Sequence, residues 1–211
     1  MMQVLQAIAE ALQRGDVKGV KEGVASALAE GIDPKQILEE GMMSAMDIIG
    51  TKFKNNEIFV PEVLIAARAM NAGMEALKLK LVEAGVKPLG KMVIGTVKGD
   101  LHDIGKNMVR MMMEGAGFEV VDLGIDVSAE KFVEAVKEHQ PEILGMSALL
   151  TTTMGEMKVV IDAITAAGLR DKVKIMVGGA PLTQSFADQI GADAYCKNAA
   201  EAASAAKQLV G

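Results

Sequence analysis

From Lys91 onward the chain alternates short, almost wholly apolar β-rich runs with helical stretches, and few folds accept that pattern. The β-rich runs fall at 91–97, 119–123, 143–147, 173–177 and 193–197. Helical segments lie between them, at about 104–116, 128–139, 154–167 and 183–190, with a last one near 199–210. A strand that is apolar throughout has to be covered on both faces, which points to a parallel sheet between two helical layers. Five such units predict a doubly wound, flavodoxin/Rossmann-like α/β domain with a five-stranded parallel sheet. Ligands of such domains bind at the carboxyl ends of the strands.

Residues 1 to about 85 carry no strand signal. Val4, Leu5, Ile8 and Leu12 recur at helical spacing, and RGD then breaks the run. Asp16 can cap a second helix reaching about Glu30. In GIDPKQ, Asp33 is placed as an N-cap and Pro34 at the first helical position of a long third helix. NNEIFVPE makes the next break, with Pro61 placed to open a fourth helix that continues to about Ala84. Four helices on short links predict an antiparallel bundle. GVKPLG reads as a linker, so the chain divides into a helical domain at 1–88 and an α/β domain at 89–211.

Composition narrows the function classes. The chain has 211 residues, 50% of them hydrophobic, which is enough for one large core or two small ones. Its net charge is −6, Lys and Arg are scattered, and Trp is absent. Without a basic face interleaved with aromatics, nucleic acid is not an expected partner. The lone Cys196 excludes an internal disulfide framework and a cysteine zinc cluster. No apolar run reaches the roughly 18 residues needed to span a bilayer, so no membrane partner is expected. MMQVLQAIAEALQRGD lacks a basic leader and reads as a helix rather than a signal peptide, which predicts a cytoplasmic protein.

Three features of the second half fall at carboxyl ends of predicted strands. They are Asp100-Leu101-His102-Asp103-Ile104-Gly105 after the first, Ser147-Ala148-Leu149 after the third and Gly178-Gly179 after the fourth. Singly, each has an ordinary explanation: a loop histidine bonded to a neighbour, a strand-end serine, and a tight turn needing positive φ. A glycine turn ahead of a helix would suit a phosphate, yet this one presents an imidazole flanked by carboxylates. A neutral imidazole is a good ligand for a transition metal, but these residues taken singly leave open what the turn binds.

Together the three features resemble the cobalamin-binding domain of the corrinoid methyl-transfer proteins, whose motif is D-x-H-x-x-G, then S-x-L, then G-G. The chain matches with Asp100, His102 and Gly105, then Ser147 and Leu149, then Gly178 and Gly179. The wider stretch GTVKGDLHDIGKN is similar to that family as well. The helical first half resembles the cap module that precedes this domain in methionine synthase and in methanol, methylamine and glycine betaine corrinoid proteins. The likeness covers nearly the whole chain.

The resemblance implies a cobalamin or related corrinoid bound base-off and His-on, with His102 replacing the nucleotide tail as the lower ligand of cobalt. Asp100 would fix the tautomer and orientation of that imidazole. Ser147 would hydrogen-bond the base of the displaced tail, Gly178 and Gly179 would let backbone approach it, and Gly105 would leave room beside the histidine loop. Asp103, Ile104 and Leu149 complete the implied cofactor contacts, although Asp103 also reads as a plain helix-start carboxylate. In LLTTTMG, Thr151 is assigned to the tail and Thr153 to Asp100. Phe59 would cover the upper cobalt face, at the head of an apolar run with Val60, Val63, Leu64, Ala67 and Met70 that otherwise reads as bundle core. Met111-Met112-Met113 reads as adaptable packing, His139 as a helix C-terminal residue and Cys196 as a small hydrophobe.

The function so implied is that of a methyl carrier cycling between Co(I) and methyl-Co(III) within a multi-component methyltransferase. Its partners would be a methyl-donor-specific methyltransferase, an acceptor methyltransferase and a reductive activation protein. The chain alone would not complete a turnover. Two alternatives share the binding domain: a non-enzymatic cobalamin sensor, against which the lack of a DNA-binding helix or basic patch counts, and the cobalamin subunit of a carbon-skeleton mutase, against which the helical half counts.

Overall fold

A computed structural model describes residues 2–211 and divides them into two compact units. The first ends at Pro88 and also takes in Glu114–Gly117; the second comprises Leu89–Met113 and Phe118–Gly211.

The first unit is helical: α1 (Met2–Gln13), α2 (Val17–Ala29), α3 (Pro34–Gln36), α4 (Ser44–Lys54) and α5 (Val60–Glu83). Asp16 caps α2 by accepting from the Gly19 N–H at 2.9 Å, and Asp33 caps α3 by accepting from the Lys35 N–H at 2.7 Å. The long third helix exists, but its middle, Ile37–Met43, is a π-helix joining α3 to α4. A π turn widens the helix without changing which residues are apolar, so the hydrophobic spacing gives no sign of it. Leu5, Ile8 and Leu12 of α1 are buried, as are Val20 and Val24 of α2, Met46 and Ile49 of α4, and Val63, Met70 and Leu77 of α5.

The second unit runs β1 (Lys91–Thr96), α6 (Ile104–Gly115), β2 (Glu119–Asp122), α7 (Ala129–His139), β3 (Ile143–Ser147), α8 (Glu156–Ala166), β4 (Lys174–Gly178), α9 (Gln184–Ile190), β5 (Ala194–Cys196) and α10 (Ala199–Val210). All pairings are parallel and the strand order is β2-β1-β3-β4-β5. The predicted doubly wound sheet is thus present, with each strand within two residues of its expected bounds. Because β1 leads to β2 on one side and pairs with β3 on the other, the order reverses between β1 and β3. Loops leaving those two strands diverge and leave a crevice at their carboxyl ends.

Side chains alternate between the sheet faces. Val93, Leu144, Met146, Ile175 and Val177 form one core with Phe132 and Val136 of α7, Met157, Ile161 and Ile164 of α8, and Ala187 and Ile190 of α9. On the opposite face, the carboxyl-end row Thr96–Ser147–Gly178–Cys196 lies in register across four strands. Cys196 is buried there, and burial pushes its thiol up to about 11, so it packs as a small apolar group.

Phe132 is completely buried and its ring fills the space over Gly95, where a Cβ would stand 2.9 Å from the ring tip. Phe132→Ala is expected to cost the second unit about 3–5 kcal/mol. A urea titration would read this as a lowered midpoint at unchanged slope.

Candidate functional site

The strand β1 ends in a tight turn, Val97-Lys98-Gly99-Asp100, closed by the Asp100 N–H donating to the Val97 carbonyl at 3.1 Å. Gly99, third in the turn, has φ +78°, the left-handed value that a type II turn demands and that glycine supplies without strain. The turn delivers Asp100 into the protein interior and His102 to the surface. Thr96, fully buried at the strand end, donates its hydroxyl to the His102 carbonyl at 3.0 Å and so fixes the loop from beneath.

Asp100 has no solvent exposure. Among the described residues five donors reach its carboxylate. Oδ1 accepts from the His102 N–H at 3.1 Å and lies 2.7 Å from His102 Nδ1. Oδ2 accepts from the Thr153 hydroxyl at 2.6 Å and from the N–H groups of Leu149 at 2.8 Å and Leu150 at 3.3 Å. Burial on its own would raise the pKa of this carboxyl. The bonds from Thr153, Leu149 and His102 outweigh burial and hold it well below the usual carboxylate range, so Asp100 is ionised.

His102 is the exposed half of the pair, its side chain 50% accessible. An ionised carboxylate 2.7 Å from Nδ1 can only accept, so Nδ1 carries a proton, and in the neutral ring this tautomer leaves the lone pair on Nε2. Among the described residues no group of three or more His, Cys, Asp and Glu side chains gathers to hold a metal ion. A single oriented imidazole fits a metal that brings its own equatorial ligands, as in a tetrapyrrole-type cofactor, rather than a bare ion held by protein alone.

The other residues expected here are distributed as follows. Ser147 is the last residue of β3, half-buried, between Thr96 and Gly178 in the carboxyl-end row. Leu149 binds Asp100 through its backbone and leaves its side chain exposed, as does Ile104 at the start of α6. Gly105 faces open space: a Cβ there would meet nothing within 4 Å. At Gly178 a Cβ would sit 3.1 Å from the Cys196 carbonyl oxygen. Gly179, with φ +143°, admits no side chain at all, because a Cβ would run into the Ala148 carbonyl. Asp103 is exposed and bonded locally, accepting from the Asn107 side chain at 3.0 Å. Of the three threonines, Thr153 is buried against Asp100 while Thr151 and Thr152 are exposed. Phe59 belongs to the first unit, where it precedes α5, is 64% exposed and donates its backbone N–H to Glu62 at 3.0 Å. Behind it Val63, Ala67 and Met70 are buried core, whereas Leu64 is exposed.

Several residues that build the site escaped the sequence reading. Thr96 looks like any β-branched strand residue. Lys106, on the first turn of α6, is buried with its ammonium 2.6 Å from the Asp122 carboxylate and 2.9 Å from the Asn107 side-chain oxygen. Burial would raise the Asp122 pKa, but the Lys106 bond, the Gly124 N–H and nearby Arg110 lower it. This pair ties α6, and with it the end of the histidine loop, to β2. The only signal was a lysine at an inward helix position, which a buried partner has to accompany.

A family model described as a B12 binding domain matches residues 90–207, and a second of the same description matches residues 4–78. The dimethylamine corrinoid protein of Methanosarcina barkeri is 46% identical over 209 residues, which cover 99% of this chain and 98% of that one. The trimethylamine corrinoid protein 1 of Methanosarcina acetivorans is 44% identical over 203 residues, covering 95% of this chain and 94% of that one. Among solved structures, the methanol:cobalamin methyltransferase complex of Methanosarcina barkeri contains a chain that aligns with a TM-score of 0.87 at 34% identity, covering 99% of this chain and 80% of that one. By sequence across both units and by fold, the chain belongs to the B12-binding corrinoid proteins of the methanol and methylamine methyltransferase type.

Proposed function

We propose that this protein is the corrinoid-binding methyl carrier of a multi-component methyltransferase, and that it holds its corrinoid base-off with His102 as the lower cobalt ligand. The observation that carries the reading is the Asp100–His102 pair: a buried, ionised carboxylate fixing one ring nitrogen and leaving the other available. When bound, the corrinoid supplies a cobalt centre able to accept a methyl group and release it to an acceptor.

The chain's own residues ligate, orient and shield. His102 supplies the ligand nitrogen, and Asp100 sets its tautomer. Thr153 and the Leu149 N–H hold that carboxylate in place. Ser147 and Thr151 are the hydroxyls assigned to the displaced tail, and the missing side chains of Gly105, Gly178 and Gly179 leave backbone and space for it. Asp103, Ile104 and Leu149, all exposed, are the further residues assigned to the cofactor. Phe59 is assigned as the lid over the opposite face of the corrinoid. An exposed phenyl ring at the head of a helix supports that role, since it is not committed to the core of its own unit.

Relatives named for dimethylamine and trimethylamine, and a neighbour solved in a complex with a methyltransferase, support a methylated small molecule as donor and methyltransferases as donor-side and acceptor-side partners. A reductive activation protein is the third partner, because a low-valent cobalt centre is prone to oxidation. Among the described residues no helix is long and apolar enough to cross a membrane.

The test is reconstitution with hydroxocobalamin and with a corrinoid that lacks its own base, followed by paramagnetic resonance after one-electron reduction. Nitrogen superhyperfine splitting should be present with both corrinoids in the natural protein, and with the corrinoid that lacks its own base it should be absent in His102→Ala. Splitting that survives in His102→Ala with that corrinoid would reject the assignment. In Asp100→Asn the amide cannot match the carboxylate as acceptor, so the imidazole loses its orienting partner. Corrinoid affinity, read by equilibrium titration in visible light, is expected to fall about 10- to 100-fold. An unchanged titration would show that Asp100 does not act on His102.

A further inference from the structure

The loop that carries His102 is pinned from a direction that the ligand pair does not explain. Beyond the end of β2, the segment 123–127 continues to pair with the end of β1: Leu123 N–H to Ile94, Thr96 N–H to Gly124 and Val127 N–H to Thr96, at 2.8, 3.0 and 3.0 Å. Asp126 lies within this extension and has φ +53°, a left-handed conformation that Asp adopts more readily than most residues. From there it makes two bonds to the turn ahead of His102. Its carboxylate accepts from the Gly99 N–H at 2.7 Å, and its own N–H donates to the Asp100 carbonyl at 3.1 Å.

We infer that Asp126 is a positioning residue for His102: it locks the peptides on either side of the Gly99–Asp100 junction, so that the Asp100 carboxylate reaches the imidazole at the right angle. The inference builds on His102 as the working group of the site, but its test needs no corrinoid. Asp126 does not touch the imidazole; it acts through Asp100. Both Asp126 and Gly99 are exposed, so water can replace the lost partner and the bond adds little to global stability. What water cannot replace is the fixed angle of the peptide leading into Asp100. A change of a few tenths of an ångström there is transmitted to the 2.7 Å contact with Nδ1, because the other anchors of Asp100, Leu149 and Thr153, belong to a different loop.

Two substitutions separate the roles. Asp126→Asn keeps a side-chain oxygen to accept from Gly99 and tolerates the left-handed backbone. Asp126→Gly keeps that backbone and the N–H bond to Asp100 but removes the acceptor. The full-length, corrinoid-free protein is labelled with ¹⁵N-histidine, and the ring nitrogens of His102 and His139 are recorded at about pH 8, where a free imidazole is neutral. In the natural protein and in Asp126→Asn, His102 should show a single tautomer with the proton on Nδ1. In Asp126→Gly its two nitrogens should shift toward the averaged values of a free imidazole, while the His139 signals stay in place. Unchanged His102 signals in Asp126→Gly would overturn the inference. So would equal movement of both histidines, which marks general loosening rather than positioning. Because cobalt takes no part in the measurement, failure here leaves the His-on reading standing, and failure of that reading leaves this one standing.

Discussion

The Asp100 carboxylate is the group on which the geometry of the site depends. A carboxylate with no exposure is costly to bury unless its oxygens are fully bonded. The donors that satisfy it come from two separate chain segments: the turn after β1, through His102, and the loop after β3, through Leu149, Leu150 and Thr153. Those segments leave the two strands between which the sheet order reverses. One buried charge therefore draws together two loops that the topology would otherwise let splay apart, and it aims the imidazole as it does so.

The parallel sheet makes this arrangement available. Strands in register end level with one another, so Thr96, Ser147, Gly178 and Cys196 form a row of small side chains along the carboxyl edge. Just past that row, Gly179 presses its backbone onto the Ala148 carbonyl so closely that no side chain would fit. A large residue at any of these positions would crowd the carboxyl edge of the sheet. The opposite face of the same sheet is packed with Phe132, Ile161, Ile164 and their neighbours, which holds the strands rigid enough for loop positions to matter.

Much of this was legible in the sequence, and what was not has a common physical origin. Strands and helices of the second half follow from apolar runs and their spacing, and the helix starts at Asp16 and Asp33 follow from side-chain capping within three residues. The Asp100–His102 contact spans two residues, and Thr153 was singled out because the family resemblance implies a hydroxyl beside that pair in the LLTTTMG run. Thr96 and Asp126 were missed because each acts through backbone atoms of another segment. The hydrogen bond from Thr96 to the His102 carbonyl and that from the Gly99 N–H to Asp126 leave no trace in residue type. Lys106 was passed over because burial of a cation depends on Asp122, sixteen positions away. The apolar run from Phe59 to Met70 was ambiguous between lid and core, and the structure divides it: Val63, Ala67 and Met70 are core, while Phe59 and Leu64 are exposed.

Two of the carboxylates near the histidine loop, Asp122 and Asp100, are stabilised in opposite ways, and the difference bears on the chemistry. Asp122 is held by the cation of Lys106 at 2.6 Å, with Arg110 at 3.5 Å, so its charge is neutralised on the spot. Asp100 is held by a hydroxyl and backbone N–H groups, none of which carries a formal charge. Its negative charge is therefore spread only over neutral dipoles and remains directed at the Nδ1 proton. A hydrogen bond to an ionised acceptor is roughly twice as strong as a neutral one and makes the far ring nitrogen a better electron donor. Had Lys106 reached Asp100 instead of Asp122, the same carboxylate would have been quenched and the imidazole left to turn. Segregating the lysine onto a second carboxylate keeps α6 anchored while leaving Asp100 free to serve His102.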